Sequence, residues 1–304
     1  MKRRWEDDDN IADKALYGLI KMLGILVRSI SRKHSTAIAH LIGDFVYNIP
    51  KTRRQLVEEN LALTFPDKTQ SDIDAIARQI YRNQAENMIE VLRLPMIKTA
   101  EDASRLLEVD ATAIIARTLD QKKGGVLVSA HFGNWELLAY CSGLLVLPLT
   151  IVVKQLKNRA IDQQINAWRT MRGNKIIYDW KALREGLRIL KNGELLTVLG
   201  DQSDSSGSFF TEFLGRRTTV FLGPAYLALK AEVPLFVAMC RPSGSGHYTV
   251  DIEEINMTGL GRTKTDAEEL ARRYTKTIER YIYRYPEEWL WLHNRWKRKE
   301  SLDP

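Results

Sequence analysis

Between residues 124 and 284, short apolar runs alternate with stretches of helical period, and that rhythm leaves the chain few ways to bury itself. GGVLVSA (124–130) is a β-branched run after a glycine pair, the mark of a buried strand. LLVLPLTIVVK (144–154) contains a second strand after Pro148, NKIIY (174–178) a third and ELLTVLGD (194–201) a fourth. PLFVAMCR (234–241) and HYTVDIEEI (247–255) add two more. Between them, DQQINAWRTMR (162–172), ALREGLRILKNG (182–193), GPAYLALKAEV (223–233) and the long charged stretch 265–284 have the spacing of helices. Strands alternating with helices predict an α/β fold with a mostly parallel central sheet and helices on both faces.

The first hundred residues differ in texture. Residues 1–10 read as a solvated charged tip. Residues 15–27, ALYGLIKMLGILV, are almost wholly apolar, but thirteen helical residues rise only about 20 Å against about 30 Å of hydrocarbon. Lys14, Lys21 and Arg28 recur every seven residues and line one face of such a helix. An apolar helix with a basic stripe fits one lying in a membrane interface, on an anionic surface; a core helix with a solvated stripe is the alternative. Further helices are expected over 35–47, over KTRRQLVEENLALTF (51–65) and over 71–93, each closed by a proline. The expected division is a helical, membrane-associating segment at 1–100 and an α/β catalytic domain at 101–304, the two forming one continuous structural unit.

Lys and Arg total 45 against 38 Asp and Glu, a net charge of +7, which suits an anionic partner without choosing among nucleic acid, membrane and acidic substrate. Cys141 and Cys240 stand apart from each other and from histidine at ligand spacing, so neither a disulfide framework nor a metal site is expected.

Chemistry concentrates in HFGNWE (131–136). Of five histidines, His34, His40, His131, His247 and His293, only His131 directly follows a buried-strand candidate. Ligands in open α/β sheets bind beyond the carboxyl ends of strands. Phe132-Gly133-Asn134 reads as a turn with Asn134 as N-cap, and Glu136 as a first-turn residue of the next helix, whose N-terminus favours an anion. Glu136 is expected to fold back and hold His131 Nδ1–H, leaving Nε2 as a base. The spacing alone is weak evidence. With 38 carboxylates and five histidines in 304 positions, about 0.6 such pairs arise by chance at any one offset, and a core histidine beside a capping glutamate is the competing reading. No serine or cysteine nucleophile elbow, Walker loop or GxGxxG is present, so the nucleophile is expected to be a substrate hydroxyl.

HFGNWE is the HxxxxE form of an HxxxxD/E signature, and with it the chain resembles the bacterial lipid A biosynthesis (lauroyl/myristoyl) acyltransferases, within the lysophospholipid acyltransferase superfamily. The resemblance runs nearly the whole length. It is carried in order by RRQLVEENLALTFPD (53–67), KQLKNRAIDQQINAWRTMRGN (154–174), LLTVLGDQ (195–202), FFTEFLGRRTTVFLGPAYLA (209–228) and YPEEWLWLHNRWK (285–297). It implies His131 as general base and Glu136 as its partner. It implies Arg172 on the donor carbonyl, and Asp201 as a carboxylate orienting Arg172 or a substrate group. Asn134, Asn158 and Gln202 are implied as substrate-binding residues, and Arg216 and Arg217, placed in a loop after Gly215, as phosphate ligands on a glycolipid. For Arg172 a surface arginine at a helix end is the bland alternative, for Asp201 a turn residue and for the arginine pair a solvated pair.

The expected reaction moves a fatty acyl group from acyl carrier protein, or coenzyme A, to a hydroxyl of a membrane lipid at the cytoplasmic face of the bacterial inner membrane, as in lipopolysaccharide biosynthesis. The chain would be held there peripherally or by one N-terminal span. No cofactor or metal is implied, and no nucleic acid. VVKQLKN (152–158) leaves the acceptor headgroup open: another lipid, such as a lysophospholipid, an aminolipid or a phosphoinositide mannoside, is the alternative, as is a noncatalytic lipid-binding protein. For Trp289 and Trp291, within the basic aromatic cluster near the C-terminus, core packing is the preferred reading.

Overall fold

A computed structural model describes residues 10–49, 53–116, 118, 123–203, 209–244 and 246–297. The charged tip at 1–9 lies outside these residues. Four helices come first, α1 (Ile11–Ser29), α2 (Arg32–Asn48), α3 (Arg54–Thr64) and α4 (Gln70–Arg93). Side chains cap three of their starts: Asn10 for α1, Ser31 for α2 and, with Asp72 in a capping box, Thr69 for α4. A short helix α5 (Ala100–Ser104), strand β1 (Leu107–Val109) and a single turn α6 (Thr112–Ile115) lead into the α/β part. That part runs β2 (Gly125–Ser129), α7 (Trp135–Leu145), β3 (Leu149–Val153), α8 (Arg159–Thr170), β4 (Lys175–Tyr178), α9 (Ala182–Lys191), β5 (Leu195–Leu199), β6 (Phe210–Phe213), β7 (Arg216–Thr219), α10 (Gly223–Ala231), β8 (Leu235–Gly244), β9 (His247–Glu254) and α11 (Lys264–Arg284).

Seven strands form one sheet in the order β1-β9-β8-β2-β5-β3-β4. Five run parallel, and β9 returns antiparallel beside β8. β2 is buried at every position. Val126 and Val128 face a core built with α3, α4, α9, α10 and α11, and Leu127 faces a core shared with α5 and α7. The strand therefore reads as a continuous apolar run because both of its faces are covered. Tyr47, Leu61 and Ile80 of the N-terminal helices belong to the same core as Val128 and Leu196, so the helical segment packs into the α/β layers.

Two features escape the pattern of apolar runs. β1 is three residues long. β6 and β7 form a separate antiparallel hairpin whose register pairs Glu212 with Arg217 and Phe213 with Arg216. RRTT carries no apolar alternation, and Arg216 and Arg217 therefore lie in a strand where a loop was expected.

Along α1, Leu16, Leu19, Met22, Ile25 and Leu26 are exposed, and so are Leu41, Ile42 and Phe45 along α2 and Ile49 just beyond its end. Lys14 and Lys21 are also exposed, whereas Arg28 donates to the Leu92 carbonyl at 2.8 Å and is taken out of the basic stripe. Among the described residues no helix is long and apolar enough to cross a membrane.

Candidate active site

β2 and β5 are parallel neighbours, with Ser129 opposite Leu199. Two residues beyond each end come His131 and Asp201. Equal overhang from paired strands puts the two side chains together at the carboxyl edge of the sheet. Asp201 Oδ1 lies 2.9 Å from His131 Nδ1, and Asp201 Oδ2 accepts from the Trp289 indole N–H at 2.8 Å. The Asp201 side chain is 2% exposed and that of His131 20%. Burial pushes the Asp201 carboxyl up, but the imidazole charge, its hydrogen bond and the indole N–H outweigh burial and hold it below the usual range. Burial pulls His131 down; the adjacent Asp201 carboxylate overcomes it and leaves the imidazole raised.

The partner of His131 is thus Asp201, not Glu136. Glu136 sits in the first turn of α7, and its carboxylate forms a two-pronged pair with Arg169 of α8, one prong being Nε to Oε2 at 2.9 Å. The helix carries the Glu136 side chain toward α8, while the sheet register supplies a buried carboxylate directly to the ring. Asp201 accordingly orients the histidine and not Arg172.

The turn between β2 and α7 is pinned from three sides. Leu290 N–H donates to the His131 carbonyl at 3.0 Å, and Gly133 N–H to the Glu288 carbonyl at 3.0 Å. Asn87 Nδ2 of α4 donates to the Gly133 carbonyl at 2.8 Å. Gly133 has φ +53°, and a Cβ there would overlap the Cys240 carbonyl oxygen, so both backbone and space demand glycine. Asn134 caps α7 through Leu137 N–H at 3.0 Å and is buried, which gives it a structural place at the start of that helix. The Trp135 ring meets His131 edge-on at 5.3 Å between centroids.

Beside His131 a cavity of about 210 Å³ runs between α7 and the sheet. Trp135, Glu136 and Arg169 stand with His131 in its wall, and Leu127, Ile151 and Leu199 form apolar lining. Arg172 does not line it. Beyond the end of α8, its Nε donates to the Ile97 carbonyl and the Tyr140 hydroxyl, each at 3.0 Å, tying α8 to α7. The arginine at the cavity is Arg169, three residues earlier. Nε and one terminal nitrogen hold Glu136, and Nη1 donates to Asn166 Oδ1 at 3.0 Å, which uses three of five guanidinium donors.

Asn158 caps α8 and donates to the Asp13 carbonyl at 3.0 Å, fastening α1. Gln202 places its amide nitrogen 3.4 Å from His131 Nε2 and 3.5 Å from Nδ1, which sets it over the ring face, outside the imidazole plane. Arg216 stacks on Trp296, 3.3 Å from the ring centroid, and donates to Asn60 Oδ1 at 2.9 Å. Burial lowers it to about 10. In this arrangement its guanidinium is engaged within the protein, against Trp296 and Asn60. Arg217 is exposed, opposite Glu212. Trp289 and Trp291 are fully buried against each other, so the core reading holds, and Trp289 additionally fixes Asp201.

Arg169 and Trp289 are the site residues that the sequence reading missed. A signal existed for Arg169: Asp162, Asn166 and Arg169 follow i, i+4, i+7 on one face of α8, with Ile161, Ile165 and Trp168 on another. For Trp289 none existed.

Residues 11–298 match the family model for the bacterial lipid A biosynthesis acyltransferases. The chain is 26% identical over 267 residues to a lipid A biosynthesis lauroyltransferase of Escherichia coli K12, covering 86% of this chain and 85% of that protein. It is 25% identical over 261 residues to a lipid A biosynthesis palmitoleoyltransferase of the same organism, covering 85% and 83%. It is 23% identical over 227 residues to a phosphatidylinositol mannoside acyltransferase of Mycolicibacterium smegmatis, covering 73% of each.

Proposed function

Because the chain belongs to the bacterial lipid A biosynthesis acyltransferase family and is an acyltransferase with a lipid acceptor, we propose that it carries a fatty acyl group from acyl carrier protein, or coenzyme A, to a hydroxyl of a membrane glycolipid, a lipid A precursor. One observation carries the mechanism: a buried carboxylate, Asp201, 2.9 Å from Nδ1 of a partly exposed imidazole at the mouth of a largely apolar cavity. Asp201 fixes the tautomer with the proton on Nδ1, so Nε2 presents a lone pair. The acceptor hydroxyl gives its proton to Nε2 as its oxygen bonds to the thioester carbon. The tetrahedral intermediate then collapses, the C–S bond breaks, and the imidazolium returns the proton to the departing thiolate. The two guanidinium N–H groups that Arg169 leaves unused suit the developing oxyanion, and Glu136 is the positioning residue that holds Arg169. The acyl chain lies along Leu127, Ile151 and Leu199.

The exposed apolar residues of α1 and α2, with Lys14 and Lys21 beside them, support docking on an anionic membrane at the cytoplasmic face. A phosphoinositide mannoside is the second acceptor to test, on the strength of the mannoside acyltransferase among the relatives. The test is transfer of radiolabel from acyl-ACP and acyl-CoA to a panel of lipids by the detergent-solubilised protein. The expected result is labelled lipid A precursor with acyl-ACP, abolished by His131→Ala. Full transfer by a folded His131→Ala variant overturns the mechanism, and labelling of another lipid alone overturns the acceptor.

A further inference from the structure

The chemistry above unites two hydrocarbon-bearing substrates, and the cavity of about 210 Å³ beside His131 is too small for the chains of both. A second, larger cavity of about 480 Å³ lies among α1, α2, α4 and α8, within the range of about 300–1,000 Å³ usual for ligand sites. Leu23, Val46, Ala85, Ile165 and Trp168 contribute apolar lining. Such lining favours an apolar guest over water.

Three observations identify the guest. The cavity backs directly onto the active site: Trp168 lines it, while the next residue, Arg169, lines the cavity of His131. Leu292, also in its wall, follows closely on Leu290, whose N–H holds the His131 carbonyl. Its rim is Met88 and Ile42, both exposed, and the exposed Leu19 and Phe45 continue that apolar surface along α1 and α2. Finally, Gln84 lines the cavity with buried amide oxygen and nitrogen atoms that have no hydrogen-bond partner among the described residues. Buried amides are ordinarily paired, and this one offers a donor and an acceptor to whatever enters.

We propose that this second cavity holds a hydrocarbon chain of the acceptor lipid, with the Gln84 amide meeting a carbonyl or hydroxyl near the head end of that chain. The proposal rests on the acyl-transfer reading and deepens it: one cavity for the donor chain, one for the acceptor, with α8 between them. Its amphipathic pattern then has a use on each side, Arg169, steadied by Asn166, toward the reacting groups and Ile161-Ile165-Trp168 toward the acceptor chain.

The experiment has two arms. In the first, detergent-solubilised full-length protein is assayed with lauroyl-ACP and a lipid A precursor, each varied in turn. Ala85→Phe fills the cavity, Met88→Trp narrows its mouth and Gln84→Leu removes the amide at nearly constant shape. Each should raise the acceptor KM tenfold or more and keep the donor KM within twofold. Gln84→Leu should also melt at the same or a higher temperature, since it deletes an unpaired buried amide. A rise in donor KM instead, or no change in either KM in variants that melt like the wild type, overturns the proposal. The second arm needs no turnover, so it separates this proposal from the reaction assigned above. A lipid A precursor with a diazirine at one chain end is photolysed with the protein. Labelled peptides from α4 and α8, lost in Ala85→Phe, are the expected result. Labelling confined to residues 127–153 overturns it, as does equal labelling by a diazirine-bearing phosphatidylglycerol.

Discussion

Asp201→Asn tests which carboxylate serves His131. The Trp289 indole N–H at 2.8 Å from Oδ2 holds the amide oxygen of the variant in that place. The amide nitrogen then faces His131 Nδ1, where the carboxylate oxygen stood at 2.9 Å. Two N–H groups cannot face each other, so the imidazole takes the other tautomer, with its proton on Nε2 and no lone pair for the acceptor hydroxyl. The charge lost is also large. Opposite unit charges about 4 Å apart interact by about 4 kcal/mol at an effective dielectric constant near 20, which is about three powers of ten in rate. The expected fall in kcat is thus on the order of 10³-fold, with 10⁴-fold as the upper bound set by comparable tautomer reversals. The acidic limb of kcat/KM should move to lower pH as well, because burial is left to lower His131 without the carboxylate that raised it. The assay is initial-rate transfer from acyl-ACP to lipid A precursor in detergent between pH 5 and 9, with a melting curve to establish folding. A folded Asp201→Asn protein within tenfold of wild-type kcat, alongside a Glu136→Gln protein that has lost activity, would refute the assignment and return Glu136 to the histidine.

Trp289→Phe keeps most of the ring packing and removes the donor to Asp201 Oδ2. It should cost about 1.5–3 kcal/mol in urea unfolding and about 10–100-fold in kcat, and a larger loss of stability than of rate would make Trp289 purely structural. Gly133→Ala places a methyl against the Cys240 carbonyl in a left-handed turn and should destabilise by more than about 4 kcal/mol; a melting temperature near wild type would contradict the turn geometry. Burial raises Glu288 from 4.5 to about 8. The folded protein therefore binds a proton that the unfolded chain has released, and this contribution to stability is full below pH 4.5 and lost as pH rises through about 8. Glu288→Gln should flatten that decline and raise the melting temperature at pH 8.5, and an unchanged slope would show the carboxyl to be ionised throughout. Leu19→Asp with Phe45→Asp should abolish co-flotation with phosphatidylglycerol vesicles, whereas undiminished flotation would place membrane contact elsewhere.

The amino-acid sequence by itself settled the elements of the sheet. Six strands and the helices between them lie close to where the apolar runs and helical periods put them, most plainly β2 and β5, which are buried along nearly their whole length and have almost no polar position to disguise them. His131 was equally legible, as the histidine at a strand end, and Asn134 as a helix cap. The β6–β7 hairpin was not, since its polar residues carry no alternation and it is held by long-range contacts such as Arg216 stacked on Trp296 and Thr218 bonded to Arg295. Only the tertiary structure decided who touches whom at the site. Glu136 is five residues from His131 and bonds to an arginine 33 residues further on; Asp201 is 70 residues away and bonds to the ring. That outcome follows from β2 lying beside β5 in parallel register, Ser129 against Leu199. Strand order depends on how the helices pack over the whole sheet, and no local pattern encodes it. The HxxxxE spacing marks where the chemistry is; the register of two strands determines which carboxylate serves the histidine.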